Sequence, residues 1–469
     1  MSSMRFDYDT VVIGGGFAGV SACRDLADQG YSVLLLEARD RLGGRTWSTP
    51  MRIGDFEGIV EHGGQWVWAD QQTNMMAEIE RYGLTLLHSP ATEQFPTVLK
   101  GSRHTGPLPV PADDVVDLEK AVFRIMTDAH RVARGVPLDR QNLGDLDIPF
   151  SDYLDGLGVC ESVRSYLTFL GNLFTGRYPE EISALPVIAF VAQMDYSIIR
   201  AWGVLDEYLA EGTSALISAM AEDSGADIRF EAPVASVVQD EHGVTVTTQA
   251  GDSFTASSVV VATPMACWKD IEFNPPLSQH KAEASREQNT SYGVKVWAQV
   301  KNAPLLSYSL ADSSAANGAI LVFTQEDMGE DGQMMVGFYI DHPDRDDRYG
   351  LDFAGVEAFI KTMHPEAELV DFHVHSFVDD PWSGNGDWIA FKPGRVSKSH
   401  SELSKPEGRL YFATADIAQM FLAWMEGAVE MGKKAAVDAQ RQMTRDAIEV
   451  KVHAVAKSSQ TAAKTASRS

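Results

Sequence analysis

The chain has 469 residues, 44% hydrophobic and 22% charged, which excludes disordered and fibrous classes and exceeds the roughly 250–300 residues at which one hydrophobic core stops growing. Two interleaved domains are therefore expected. Lys and Arg number 39 against 66 Asp and Glu, a net charge of -27, which argues against nucleic-acid partners and anionic membranes and reads as a solvated acidic surface.

The first predicted element is the apolar run from Tyr8 to Gly14 (YDTVVIG), a buried parallel strand. A helix follows over Gly19–Gln29, with Val20, Cys23, Leu26 and Ala27 on one face and Gly30 just past its end. Tyr31–Glu37 returns as a second buried strand and completes a βαβ unit. Residues 84–221 read as mainly helical, clearest over Ala112–Val132 and Pro186–Met194, the latter opening on its proline. From Ile228 to Val261 the pattern becomes short strands (IRFEA, ASVVQD, VTVTTQ, FTASSVVVAT) with a turn at Glu241–Gly243, expected as a three-to-four-strand antiparallel block feeding back into the first sheet. GVKVWAQV, AILVFT and MMVGFYI predict a second sheet within 291–391.

The expected domains are a discontinuous dinucleotide-binding unit over 8–83, 222–290 and 392–450, and a substrate-binding unit over 84–221 and 291–391. The polar residues 451–469 are expected as a flexible tail. Ser467-Arg468-Ser469 lacks the terminal Leu of a peroxisomal address and is discounted. Cys23, Cys160 and Cys267 have neither disulfide nor zinc spacing, so no metal is expected. The N-terminus has no basic segment followed by an apolar run, and no stretch reaches the ~18 apolar residues of a membrane helix. A cytoplasmic protein without a membrane partner is expected; a homodimer is compatible with the sequence.

Gly14-Gly15-Gly16-Phe17-Ala18-Gly19 is a GxGxxG between strand and helix, with Glu37 ending the second strand. Gly14, Gly16 and Gly19 let the backbone approach a pyrophosphate at the helix N-terminus, and Glu37 can bind ribose hydroxyls. The segment Ala38-Arg39-Asp40-Arg41-Leu42-Gly43-Gly44-Arg45 adds backbone amides and guanidinium groups to the same region, with Arg45 suited to a bidentate phosphate contact.

With LEARDRLGGR, the later landmarks EHGGQW (61–66), GVKVW (293–297), GRLYFATADIA (408–418) and AWMEGAVEMGKKAA (423–436) follow in order. The chain from about Tyr8 to Ala436 thereby resembles the flavin-containing amine oxidase superfamily, and is nearer in feel to bacterial and fungal monoamine or nicotine-type oxidases than to L-amino-acid oxidases. The resemblance implies FAD as cofactor, a Rossmann-type FAD domain in an α/β fold with an α+β substrate domain of p-hydroxybenzoate hydroxylase-like architecture, and oxidation of a carbon–nitrogen bond with dioxygen reduced to hydrogen peroxide. It assigns Gly63, Gly64, Gln65 and Trp66 to the flavin ring, Val234 to adenine, Thr263 to the nucleotide side, Met425 to the flavin through its backbone amide, and Asp416 to ribitol or phosphate, although FATAD departs here from an FAGTE-like run. Lys295 is implied to hold water against flavin N5, and Trp424 and Trp388 to form opposite walls of an amine cage. Trp68 and Trp382 are further cavity candidates, while alternation alone leaves the burial of Lys295 open. Covalent relatives carry a Cys where this chain has Gly386, Asp387 and Trp388, so FAD is expected to be noncovalent. Rival readings are a polyamine or L-amino-acid oxidase, an amine dehydrogenase using a protein electron acceptor, a carbon–carbon desaturase, and a non-catalytic flavoprotein.

Overall fold

A computed structural model describes residues 6–466 apart from 107, 204, 288, 289 and 347; the address-like terminal triplet lies outside them. Strand β1 (Tyr8–Ile13), helix α1 (Phe17–Ala27) and strand β2 (Val33–Leu36) form the expected βαβ unit. Val11, Val12, Leu34 and Leu35 have no exposed surface, as required of a parallel sheet covered on both faces. β1 lies parallel to β2 on one side and to Ser253–Val261 on the other.

Eight strands make up this sheet. Its order is Asp227–Arg229, β2, β1, Ser253–Val261, Val244–Thr248, Val234–Gln239 and Glu272–Asn274, with Leu410–Phe412 added beside Ser253–Val261. The antiparallel block has three strands, the lower end of the three to four expected. Asp227–Arg229 leaves it and pairs in parallel with β2 at the far edge of the sheet. Ser253–Val261 is long enough to join two patterns: Ser253–Ala256 pairs with the hairpin, while Val259–Val261 runs parallel with both β1 and Leu410–Phe412.

Seven strands form the second sheet, in the order Glu368–Ser376, Gly293–Lys301, Gln333–Ile340, Ala319–Asp327, Tyr308–Ala311, Thr97–Leu99 and Ser102–His104. The last two come from a segment that reads as helical, which is thus less uniform than expected. Gly293–Lys301 is buried on both faces. Val294, Val296, Ala298 and Val300 pack with Val356, Phe359 and Ile360, the latter three on the helix Phe353–Met363. The opposite face carries Lys295 and Trp297, toward the first unit, where Trp297 Nε1 donates to the Glu61 carbonyl at 2.9 Å.

Two helices begin differently from the sequence expectation. Ala112–Asp114 is a 3-10 turn, with the α-helix at Val115–Ala129. The second begins at Ala184, before Pro186, because the Ser183 hydroxyl accepts the Leu185 N–H and caps it. The helix starting at Met425 continues to Ala466, through most of the segment expected as a tail. Its first part packs on α1 so closely that a Cβ at Gly432 would fall 2.3 Å from the Ala18 carbonyl oxygen.

Candidate active site

A single cavity of about 440 Å³ runs between the two sheets. One end is built by the GxGxxG turn. Gly14 sits at φ +102°, and a Cβ at Gly19 would lie 1.9 Å from the Gly14 carbonyl oxygen, so Gly19 serves the close packing of α1 on β1 rather than lining the cavity. Gly16, by contrast, faces open space: a Cβ there would meet only the Gly43 carbonyl oxygen, at 3.8 Å. No side chain caps α1, so its first N–H groups and the positive end of its dipole are left to an anion.

Glu37 lies at the same end, with its carboxylate held by the N–H groups of Gly15 at 2.6 Å and Arg39 at 2.8 Å. Ala38, Arg39 and Val234 line the wall beside it, and Gly44 and Arg45 continue toward the middle. Arg39 is ion-paired with Asp380. Asp416 does not line the cavity: one oxygen accepts from Arg45 at 2.7 Å and the other from the Met265 N–H at 2.8 Å. Its place is behind Arg45, fixing the guanidinium that faces the cavity, in contrast to the direct contact implied by the resemblance.

Gly63, Gly64, Gln65 and Trp66 form the middle wall, with Thr263 and Met425 also lining. The buried Thr263 hydroxyl and Trp66 Nε1 have no hydrogen-bond partner within the protein, an arrangement that calls for a bound polar group. Lys295 stands one layer behind this wall. It is 4% exposed and donates to the Gly63 carbonyl at 3.0 Å and Gln65 Oε1 at 2.6 Å, with its ammonium 4.5 Å from the Trp66 ring centre. Burial pushes its pKa down to about 7, against the opposing pull of the Glu61 and Asp387 carboxylates. Glu61 accepts the N–H and hydroxyl of Thr213, at 2.6 and 2.8 Å, at the start of helix Thr213–Ser224. Desolvation raises its pKa, with Lys295 opposing.

A histidine layer backs the turn at Glu61–Gly64. His62 stacks on Trp47 at 4.0 Å and hydrogen-bonds His373 at 2.9 Å. Burial lowers the pKa of His62 to about 3 and of His375 to about 4, so both rings are neutral at pH 7.

Trp388 and Trp424 line the other end. They meet edge to face, with centroids 5.4 Å apart and planes at 85°. They are adjoining sides of a corner rather than the facing walls expected. Phe190 stacks behind Trp424 at 5.4 Å and 10°. Trp382 lines the cavity but near Cys267 and Pro381, whose carbonyl the Cys267 thiol contacts, close to Arg39 and Asp380 at the nucleotide end. Trp68 lies outside the lining, under the Arg200 guanidinium at 5.5 Å.

Several lining residues escaped the sequence. Phe338 pairs directly with Lys295 across two strands, a register no local pattern reveals. Asn172, Leu173 and Phe174 come from helix Glu161–Thr175. Asp387 is half-buried, with one buried oxygen unpartnered, and desolvation raises its pKa; its signal was the charged residue inside GNGDWIAF. Among the described residues no group of three His, Cys, Asp or Glu side chains is placed to hold a metal ion, and no helix is long and apolar enough to cross a membrane.

This elongated, mostly apolar cavity has a helix N-terminus, two arginines and a fastened glutamate at one end and an aromatic corner at the other, which suits FAD. The sequence pattern of the flavin containing amine oxidoreductases matches residues 17–440, and the chain belongs to that family. It is an FAD-dependent enzyme acting on amine donors. (S)-6-Hydroxynicotine oxidase of Paenarthrobacter nicotinovorans is 31% identical, covering 90% of this chain and 97% of that protein. Nicotine dehydrogenase of Pseudomonas putida is likewise 31% identical, covering 92% and 88%. Human flavin-containing amine oxidase B is 26% identical over 91% of this chain and 85% of its own length. The fold is shared with cyclohexylamine oxidase of Brevibacterium oxydans, at TM-score 0.78 and 23% identity over 93% of this chain and all of that one. Putrescine oxidase bound to putrescine gives 0.79 and 23%, covering 92% and 98%.

Proposed function

We propose that the enzyme oxidises a small, largely apolar amine at the carbon bearing nitrogen, and that dioxygen is the electron acceptor. The observation that carries this reading is the continuity of one cavity from the nucleotide end at Glu37 and Arg45 to the apolar corner of Trp388 and Trp424. FAD, held between the nucleotide end at Glu37 and Arg45 and the Trp388–Trp424 corner, would supply two-electron acceptor chemistry for hydride loss from the amine carbon, with dioxygen reduced to hydrogen peroxide. Water then hydrolyses the released imine to a carbonyl compound and the free amine or ammonia.

The protein's own contribution is placement and desolvation. Arg45, Arg39 and the uncapped start of α1 hold the pyrophosphate, and Glu37 holds ribose hydroxyls. Trp388, Trp424 and Phe338 form a dry site that favours the neutral amine, whose pKa near ~10 would otherwise keep it protonated at pH 7. Lys295, through Gln65 and Gly63, fixes the middle wall.

FAD is held without a covalent bond: no cysteine occurs at Gly386–Trp388, and Cys267 lies at the nucleotide end. Acid precipitation should leave all yellow colour in the supernatant. A second reading, transfer to an acceptor other than dioxygen, draws support from relatives named dehydrogenases. Anaerobic mixing with primary, secondary, polyamine and amino-acid substrates tests both. Bleaching by one amine class names the substrate, and recovery of colour on admitting air assigns dioxygen. Bleaching without recovery favours the second reading, and no bleaching by any amine refutes both.

A further inference from the structure

Behind the aromatic corner lies a separate chamber of about 50 Å³. It shares Phe174, Thr175, Trp388 and Trp424 with the main cavity, so these side chains are the partition between the two. Its far wall is the helix Ala184–Gln193, which contributes Val187, Ala189 and Phe190. Apart from the half-buried Gln419 amide, the main polar groups at its margin are engaged elsewhere. Gln193 Oε1 accepts the Phe421 N–H at 2.7 Å, the two His400 ring nitrogens lie 3.2 Å from the Leu138 N–H and the Ala418 carbonyl, and the Thr175 hydroxyl donates to the Gly171 carbonyl at 2.7 Å. None of its lining side chains is among those with buried, unpartnered polar atoms. A water in the chamber would find few free partners, whereas hydrocarbon would lose nothing there. Toward the outside it ends beside Val136 and Arg134, both exposed, and the Arg134 guanidinium is already bound to Asp195 and Gln71.

The geometry points to this chamber as a subsite for the distal apolar arm of the amine substrate, an alkyl or aryl extension that passes the partition while the nitrogen stays at the Trp388–Trp424 corner. The inference rests on the amine reading above and narrows it: the substrate is an amine with an extended hydrocarbon arm, not a diamine, since a second ammonium group would enter a space lined by no carboxylate and flanked by the Arg134 guanidinium. Passage of the arm requires movement in this partition, where the Phe174 ring packs against Phe190 with centroids 3.9 Å apart.

Ala189 and Val187 face the chamber and not the main cavity, so they alter its volume without touching the reacting atoms. The holoenzyme and its A189L and V187A variants are mixed anaerobically with propylamine, octylamine and 1,8-diaminooctane, and flavin reduction is followed as a function of amine concentration. A189L should weaken octylamine by about fourfold or more, on the order of one buried methylene's contribution, and leave propylamine unchanged. V187A should leave propylamine unchanged and favour bulkier arms such as a phenylalkylamine, and 1,8-diaminooctane should lag octylamine in the parent enzyme. V187A removes atoms only, and it carries the test should A189L fail to fold. Equal effects on short and long amines, or no effect on either, overturn the subsite while leaving amine oxidation standing. If no amine reduces the parent flavin, the amine reading itself falls and the subsite with it.

Discussion

Arg45 and Asp416 face each other at 2.7 Å although 371 residues separate them, and the second Asp416 oxygen is held by the Met265 N–H. The carboxylate, 1% exposed, therefore orients the guanidinium without reaching the cavity. Asp416→Asn removes the charge and presents an amide to one of the two donors. A charge-assisted bond of this kind contributes about 1.5–3 kcal/mol, so the dissociation constant for FAD should rise by roughly ten- to a hundredfold. Titration of apoprotein with FAD, followed by fluorescence quenching, measures it. An unchanged constant would mean that Arg45 needs no such support.

Lys295 titrates near 7 in the fold and near 10.5 when unfolded. Between these pH values the unfolded chain binds a proton that the folded chain does not, so this residue makes stability rise with pH from about 7 to about 10.5. Below about 7 both states are protonated and the full desolvation penalty is present. Lys295→Met should therefore be relatively most stable at pH 6, with the parent enzyme gaining on it as the pH reaches 10. Thermal unfolding at pH 6, 8 and 10 with saturating FAD compares the two, and parallel pH curves would contradict the lowered pKa.

Trp424 is fixed by stacking on Phe190 and by the edge of Trp388, and it contributes no hydrogen bond to the nucleotide end. Trp424→Ala should raise KM for the best amine by about thirtyfold, from loss of about 2 kcal/mol of aromatic contact, with FAD content unchanged. Steady-state rates beside the flavin-to-protein absorbance ratio separate the two effects. Equal loss of flavin and amine binding would show Trp424 to be structural.

The dinucleotide end was legible in the sequence because its determinants are local. Gly14, Gly16, Gly19 and Glu37 fall within one βαβ unit, whose strands and helix read directly from apolar periodicity. The amine end was legible only as candidates. The angle between Trp388 and Trp424 depends on packing between segments 36 residues apart, and Phe338 meets Lys295 through strand register. Alternation could not decide the burial of Lys295, since the helix Phe353–Met363 covers one face of its strand and the first unit covers the other. Asp227–Arg229 was misplaced because a three-residue strand carries no sign of whether its neighbour is adjacent in sequence or, as here, β2.

Gly16 and Gly19 belong to one motif yet should fail in different ways when each is replaced by alanine. At Gly19 the new methyl would fall 1.9 Å from the Gly14 carbonyl oxygen, backbone that cannot yield without parting α1 from β1. Gly19→Ala should lose at least ~1–3 kcal/mol of stability even as apoprotein. At Gly16 the backbone has φ -78°, open to any L-residue, and the nearest atom to the new methyl is 3.8 Å away. Gly16→Ala apoprotein should therefore unfold at the parent's temperature, while its affinity for FAD falls by at least about tenfold, because the methyl occupies space the pyrophosphate needs at the start of α1. Thermal unfolding of the two apoproteins beside FAD titration distinguishes packing from cofactor space. Full FAD affinity in Gly16→Ala would place the pyrophosphate elsewhere along the cavity.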